Sequence, residues 1–179
     1  TGLADPAPIL FSILMDPLLT NRYFVDGVIC CLDAANGELH LRNNPESVKQ
    51  IVSADTVMIT KTDIADRQMV EKMRQRLWQL NPAAVIMEAA KGRVDPEAVL
   101  AGSRGQISSR MARLKQMKGY PKGAGEHDRG VRSMSIKFYE PLDWTAFGLW
   151  MSMLLYAHGE KMMRIKGMVD VGDEGPIVI

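Results

Sequence analysis

The chain of 179 residues has few cysteines, little net charge and no long apolar segment. Its two cysteines, Cys30 and Cys31, are adjacent, so on a strand their side chains point to opposite faces. The Cys-x-x-Cys spacing with which two thiolates share a metal ion is missing, and we expect both to be small buried hydrophobic residues. Few cysteines and the lack of a recognisable secretory signal predict a reducing, cytoplasmic setting.

The formal net charge of +1 provides no overall field that would attract nucleic acid or an anionic membrane. The longest apolar stretch, from Trp144 to Ala157, contains Thr145, Gly148 and Ser152 and is shorter than the roughly 20 residues that span a bilayer. We therefore expect neither nucleic acid nor a membrane as a partner, and we interpret the stretch as a core helix.

Apolar runs alternate with helical patterns in the first part of the chain. The runs cover residues 23–32, 56–60 and 84–87, and the clearest helical patterns cover 45–53 and 66–80. The second pattern places Met69, Val70, Met73, Leu77 and Leu80 on one stripe. Strands and helices that alternate at these lengths predict an α/β fold with a parallel sheet and right-handed crossovers.

The last part of the chain follows a different pattern. Residues 131–139 alternate as a half-buried strand, a helix capped by Asp143 follows, and residues 162–171 form another strand on which Arg164 and Lys166 share a face. This mixture predicts a small α+β domain.

The segment between the two parts is rich in Gly, Ser, Arg and Lys, and its lone Tyr120 offers no stacking platform for nucleic-acid bases. We interpret it as a linker. The predicted organisation is therefore a first domain at 1–102, a linker at 103–130 and a second domain at 131–179.

The motif Thr60-Lys61-Thr62-Asp63 directly follows a predicted strand. Ligands of parallel sheets bind beyond the carboxyl ends of the strands, so Asp33, this motif and residues 88–90 are expected along one rim. A carboxylate at Asp63 can accept hydrogen bonds from guanine N1–H and the exocyclic amine, a donor pair that adenine does not offer. Lys61 would lay its methylene stem along the base. A helix start capped by Asp63 or Asp66 is an alternative that the motif alone leaves open.

The chain resembles the CobW-type GTPases, a P-loop family of metal-insertion chaperones. The resemblance is carried by the opening Thr-Gly-Leu-Ala-Asp-Pro-Ala-Pro, by Asp26-Gly27-Val28 with Leu32-Asp33-Ala34, by Thr60-Lys61-Thr62-Asp63, and by Gly159-Glu160-Lys161 with Arg164-Ile165-Lys166-Gly167. It implies the C-terminal part of a P-loop GTPase parallel sheet with flanking helices, followed by a small α+β CobW C-terminal domain that is incomplete.

The resemblance also implies a function. The parent protein would bind and hydrolyse GTP with Mg²⁺, and it would deliver zinc or cobalt to a client protein. Thr60, Lys61 and Asp63 would bind the guanine, Gly2 would face the γ-phosphate through its backbone N–H, and Thr1 would lie beside the magnesium. Thr60 stands where many members carry Asn, and Gly2 is also explained as an ordinary turn glycine.

Two motifs of the family are absent from this sequence: the phosphate cradle Gly-x-x-x-x-Gly-Lys-Ser/Thr and the metal motif Cys-x-Cys-Cys. In the family both precede the position of Thr1, so we expect a fragment that binds GTP poorly and hydrolyses it hardly at all. We assign no catalytic residue and no metal ligand. The histidines at 40, 127 and 158 are isolated, as surface or capping histidines are.

A protein-interaction module is the second hypothesis. In it the domain at 131–179 presents Arg164, Lys166 and a sheet face to a partner, although the two cations also suit the solvated face of a strand. A parallel sheet that lacks its first strands would expose an edge and apolar surface. We therefore expect self-association into a homo-oligomer.

Overall fold

The computed structural model describes residues 2, 4–103, 134–172 and 175–179, so the predicted linker lies almost entirely outside the described residues. The chain divides into two compact units, 1–133 and 134–179. The elements of the first unit are α1 (Pro6–Met15), α2 (Pro17–Thr20), β1 (Ile29–Asp33), α3 (Gly37–Asn43), α4 (Pro45–Ser53), β2 (Thr56–Thr60), α5 (Arg67–Leu80), β3 (Val85–Glu88) and α6 (Pro96–Ser103). Those of the second unit are α7 (Trp144–His158), a 3₁₀ helix (Gly159–Lys161), β4 (Met168–Asp170) and β5 (Pro176–Val178).

The first unit is built on a parallel sheet in the order β1-β2-β3. Asp33 at the end of β1 pairs with Thr60 at the end of β2, and Ile59 pairs with Glu88 at the end of β3. This register aligns the carboxyl ends of all three strands, which places the loops that follow them side by side. The predicted α/β fold with a parallel sheet is confirmed.

Aspartates precede several of the helices, because a short carboxylate can accept one of the unpaired N–H groups of a first turn. Asp5 accepts the N–H of Ala7 at 3.0 Å before α1, and Asp66 accepts the N–H of Gln68 at 2.8 Å before α5. Proline then occupies the first position of α1, where its missing N–H costs nothing. The cap at Asp66 agrees with one of the two helix starts that the sequence left open.

The core of the first unit lies between the sheet and the helices. Its buried members are Leu32, Ala34, Leu41, Ile51, Ala54, Val57, Ile59, Val70, Met73, Leu77 and Leu80. Burial of each large aliphatic side chain contributes about 1.5–3 kcal/mol. Four of the five predicted stripe residues of α5 are buried, but Met69 is 47% exposed because it lies at the edge of the stripe.

Helix α3 was not predicted, and it begins at Asn36-Gly37, a pair that is typical of a turn. Gly37 is buried where the helix begins, and a Cβ there would lie 2.8 Å from Leu32 Cγ and 2.9 Å from Met73 Cε. The absence of a side chain lets the start of α3 approach the core closely.

Strand β1 is shorter and less buried than the apolar run 23–32 predicts. Tyr23 and Phe24 precede the strand and are 65% and 79% exposed. The expectation that both cysteines are buried is wrong for Cys31, which is exposed on the other face from the half-buried Cys30. Burial, with a smaller effect of Cys31, raises the pKa of the Cys30 thiol to about 11. β1 lies at one edge of the described sheet, and the face that carries Cys31 is exposed there. An apolar run therefore does not by itself show that helices cover both faces of a strand.

The second unit contains a helix and an antiparallel strand pair, which agrees with the predicted α+β class. β4 pairs with β5 in the register Met168 to Val178. The predicted strand at 131–139 is wrong for its described part, 134–139, which pairs with no strand in the described chain. Of the strand predicted at 162–171, only β4 (Met168–Asp170) is observed. Arg164 and Lys166 therefore precede the strand instead of sharing one of its faces.

Helix α7 begins at the predicted cap, where Asp143 accepts the N–H of Ala146 at 2.7 Å. Phe147 is its one buried residue, while Leu149, Met153 and Tyr156 are 65%, 64% and 95% exposed. The interpretation of this stretch as a core helix is therefore wrong within the described chain. In the same part of the chain, no helix combines the length and the apolar character that crossing a membrane requires.

Candidate functional site

The loops after β1, β2 and β3 meet at the carboxyl edge of the parallel sheet. Ala34 donates its N–H to Thr60 O at 2.9 Å, and Ala89 donates its N–H to Ile59 O at 2.8 Å. These bonds continue the sheet pairing by one residue beyond the strands. They place Asp33, the Thr60–Asp63 motif and the start of the loop after β3 along one rim.

Lys61 turns the chain sharply after β2. Its φ is +57°, a left-handed conformation that is uncommon for a residue with a side chain. Ile64 closes the turn by donating its N–H to Lys61 O at 3.2 Å. In this conformation Lys61 Nζ lies 2.7 Å from Asp33 Oδ2 at the end of β1.

Asp33 is held in place from several sides. Its Oδ1 accepts the N–H of Ala35 at 2.7 Å and that of Asn36 at 3.4 Å, and its Oδ2 accepts Asn36 Nδ2 at 3.2 Å. The hydrogen bond from Lys61 is the main cause that lowers the pKa of Asp33 to about 2, and the bonds from Ala35 and Asn36 act in the same direction. Asp33 was predicted to lie on this rim, but its ion pair with Lys61 was not predicted.

The Thr60 hydroxyl donates to Leu32 O on β1 at 3.3 Å. It therefore links the end of β2 to the end of β1. A hydroxyl at this position is sufficient for such a link, although many members of the family that the sequence resembles have Asn there.

Asp63 is exposed and contacts the loop after β3. Its Oδ1 accepts the N–H of Lys91 at 3.0 Å, while Thr62 donates both its N–H and its hydroxyl to Ala89 O, at 3.3 and 3.2 Å. Asp66 is the N-cap of α5, so the capping alternative does not apply to Asp63. Each carboxylate oxygen has two lone pairs, and Asp63 can accept further hydrogen bonds.

The role of Lys91 in this loop was not predicted from the sequence. Its φ is +51°, and this left-handed conformation accompanies the orientation of its N–H toward Asp63. Lys91-Gly92 after a predicted strand was the signal available, because glycine marks a turn in which left-handed conformations are common.

Glu88, at the end of β3, contacts α5. Arg67 Nη1 lies 2.7 Å from Glu88 Oε2, and Arg74 Nη2 donates to Glu88 Oε1. Arg74, followed by Arg67, lowers the pKa of this carboxyl, against the opposing effect of desolvation. The side chain therefore ties β3 to α5.

The predicted phosphate-side residues lie at the start of the chain. Thr1 is outside the described residues, and Gly2 has a φ of +56°. Gln50 on α4 donates to Gly2 O at 2.7 Å and to Ala4 O at 2.8 Å, and Lys49 pairs with Asp5 at 2.8 Å. The described contacts of Gly2 thus connect it to α4, and they do not join it to the Thr60–Asp63 loop.

Metal-ligating side chains do not cluster in the described residues: none of their His, Cys, Asp and Glu side chains form a group of three or more that could hold an ion. His40, for example, contacts Asn44 Nδ2 at 3.3 Å.

Comparison with known proteins extends over most of the chain. The zinc chaperone YjiA of Escherichia coli strain K12 is 26% identical over 174 residues, which are 97% of this chain and 53% of YjiA. Zinc-regulated GTPase metalloprotein activator 1 of Schizosaccharomyces pombe is 29% identical over 96 residues, 53% of this chain and 23% of that protein. The chain thus spans about half the length of YjiA and less of the yeast protein.

The fold matches as well. The crystal structure of the Zn(II)-bound YjiA GTPase from Escherichia coli aligns with a TM-score of 0.67 at 25% identity, covering 97% of this chain and 53% of that one. The family profile of the CobW/HypB/UreG nucleotide-binding domain matches residues 1–88, and that of the cobalamin synthesis protein cobW C-terminal domain matches residues 131–179. The chain therefore belongs to the CobW family, with a nucleotide-binding domain followed by a CobW C-terminal domain.

Proposed function

We propose that Thr60, Lys61 and Asp63 form the guanine-reading part of a GTP site. The observation that carries the proposal is the environment of Asp63. Its carboxylate is exposed at the carboxyl edge of a parallel sheet, it caps no helix, and only one of its oxygens accepts the N–H of Lys91. It therefore retains acceptor capacity for guanine N1–H and the exocyclic amine.

The neighbouring residues support this function. Lys61 is anchored beside Asp63 by its ion pair with Asp33, so its methylene stem can lie along a flat base. Thr60 holds β1 against β2 through its hydroxyl. Gly2 and Thr1 complete the proposal on the phosphate side, with Gly2 offering a backbone N–H and Thr1 lying beside Mg²⁺.

For the whole protein we propose a GTP-hydrolysing chaperone that acts in the cytoplasm and delivers a metal ion to a client protein. The names of the two relatives, a zinc chaperone and a zinc-regulated GTPase metalloprotein activator, favour zinc as the cargo. The description of the C-terminal domain as part of a cobalamin synthesis protein keeps cobalt as the alternative. The proposed organisation is 1–102 for nucleotide binding, 103–130 as linker and 131–179 as the C-terminal domain, with self-association into a homo-oligomer.

The decisive experiment substitutes Asp63 and compares nucleotides whose base edges differ. In the complete product of the gene that encodes this chain, Asp63→Asn is expected to weaken GTP binding about 10- to 100-fold, because a charge-assisted hydrogen bond contributes about 1.5–3 kcal/mol. Xanthosine triphosphate should gain affinity, since an amide complements the xanthine edge. Both constants are measured by fluorescence titration with labelled nucleotides, with ATP as reference.

Asp66→Asn is the matched control, because it removes a nearby negative charge from the cap of α5 without touching the base edge. It should leave the preference for GTP over xanthosine triphosphate unchanged. A GTP affinity that Asp63→Asn does not alter would show that the base-reading assignment is wrong.

A second candidate function, a protein-interaction module in the C-terminal domain, is favoured by the exposed apolar side chains of α7. Leu149, Met153 and Tyr156 are all more than half exposed. If this helix binds the client, Met153→Lys should abolish a client complex that forms without nucleotide while leaving GTP binding intact. If the Met153→Lys variant still formed the client complex, this second candidate function would be wrong.

A further inference from the structure

Lys61 of the proposed base site forms an ion pair with Asp33, a residue to which the proposed function assigns no contact with the nucleotide. The 2.7 Å contact joins the loop after β2 to the end of β1. The Asp33 side chain is only 16% exposed, while that of Lys61 is 58% exposed. The aspartate is thus the fixed partner and the lysine is the partner that is held.

Three further hydrogen bonds fix the aspartate. Ala35 and Asn36 donate their N–H groups to Oδ1, and the Asn36 amide donates to Oδ2. The carboxylate therefore has a defined orientation before any ligand arrives. A lysine side chain otherwise samples many rotamers, and this freedom is lost when it packs on a ligand.

We propose that Asp33 is a positioning residue for guanine-nucleotide binding, because its pairing with Lys61 holds the lysine stem ready for the face of the base. The proposal rests on the function proposed above for Thr60, Lys61 and Asp63. The stem contacts the face of the base, whereas Asp63 reads its edge. Asp33 should therefore set the affinity for a nucleotide without setting the choice between guanine and xanthine.

Simple electrostatics gives the opposite sign for the effect of Asp33. A nucleotide triphosphate is an anion, so removal of a nearby negative charge should strengthen its binding. Positioning of Lys61 predicts weaker binding when the charge is removed. The direction of the change therefore distinguishes the two effects.

The test uses Asp33→Asn in the complete gene product, with labelled GTP and labelled xanthosine triphosphate as probes. We expect both affinities to fall about 3- to 10-fold, in line with the freedom regained by one long side chain. Their ratio should stay constant. Asparagine retains an oxygen that can accept the N–H of Ala35, so the turn after β1 is preserved, and thermal melting verifies the fold.

A double-mutant cycle with Lys61→Met separates positioning from a structural role of the turn. If Asp33 acts through Lys61, Asp33→Asn should cause no further loss when residue 61 is methionine. The proposal would be overturned if Asp33→Asn lowered the affinity equally in the Lys61→Met background. It would also be overturned if Asp33→Asn alone left nucleotide binding unchanged or made it tighter. A wild-type protein that does not prefer GTP to ATP would overturn the proposed function as well, and that result is seen before any variant is made.

Discussion

Asp63 Oδ1 accepts the backbone N–H of Lys91 at 3.0 Å, so one carboxylate joins the loop after β2 to the loop after β3. The two hydrogen bonds from Thr62 to Ala89 O lie beside it. The base-reading residue therefore also organises the neighbouring wall of its own site. Substitutions at Asp63 have to be chosen with both roles in mind.

Asp63→Ala is expected to accelerate amide hydrogen exchange at Lys91 about 3- to 10-fold, because the N–H loses a bond with a net value of about 0.5–1.5 kcal/mol. Asp63→Asn keeps an oxygen acceptor and should exchange nearly as slowly as the wild type. Exchange is followed residue by residue by NMR. Equal rates at Lys91 in the wild type and the alanine variant would contradict the bond between the loops.

The titration of Asp33 is expected to reveal its ion pair with Lys61. Its carboxyl carbon, followed by NMR, should titrate with a pKa of about 2 in the wild type. In Lys61→Met the midpoint should rise toward 3.8, the ordinary value of an aspartate, because the main cause of the lowered pKa is removed. An unchanged midpoint would show that Lys61 does not pair with Asp33 in solution.

The sign of the associated pH effect follows from the lowered pKa. The folded state binds the proton less tightly than the unfolded state, so the pair stabilises the fold fully above about pH 4. This stabilisation is lost as the pH falls from about 4 to about 2. Its size is small because Lys61 is largely exposed.

Thr56→Val is expected to stabilise the protein by about 1 kcal/mol. Thr56 is fully buried at the start of β2, and in the described part of the chain its hydroxyl has no hydrogen-bond partner. Such a group costs about 1–3 kcal/mol in desolvation. The free energy of unfolding is measured in urea.

Thr60→Val is the matched control for this prediction. It makes the same change on the same strand, but it removes a hydroxyl that donates to Leu32 O. It should destabilise the protein by about 0.5–1.5 kcal/mol. Stability changes of the same sign at both positions would refute the assignment of the two hydroxyls.

Asn81→Ala is expected to destabilise the first unit by about 2–3 kcal/mol. The buried amide Nδ2 donates to Ile51 O at 2.8 Å, Val52 O at 3.1 Å and Ala54 O at 2.8 Å, so it satisfies carbonyls where α4 ends. Their loss leaves buried acceptors unpaired. The comparison is Asn43→Ala, at an exposed position at the end of α3. Its free energy of unfolding in urea should differ from that of the wild type by less than about 0.5 kcal/mol.

The sequence predicts the sheet and its rim because both depend on local patterns. Apolar runs followed by aspartate-capped helices define β2, α5 and their order, and the rule that ligands bind at the carboxyl ends of parallel strands locates Thr60–Asp63 beside Asp33. Asp63 was separated from the capping role only by the observed bond from Gln68 to Asp66. Sequence spacing alone allowed either aspartate.

The failures concern features that depend on neighbours in space. Cys31 belongs to an apolar run, yet its exposure is decided by what covers that face of β1. The alternating residues 134–139 lack a paired strand in the described chain, and alternation does not supply one. The contact between Lys61 and Asp33 follows from a positive φ that propensity rules disfavour for lysine.

The order of the strands in the sheet also affects how the rim is assembled during folding. Asp33 and Lys61 are 28 residues apart in the chain, and so are Asp63 and Lys91. The entropy of closing a loop grows only slowly with its length, and loops of this size close at a moderate cost. We expect the rim to be complete as soon as β1, β2 and β3 have paired, independently of the C-terminal domain.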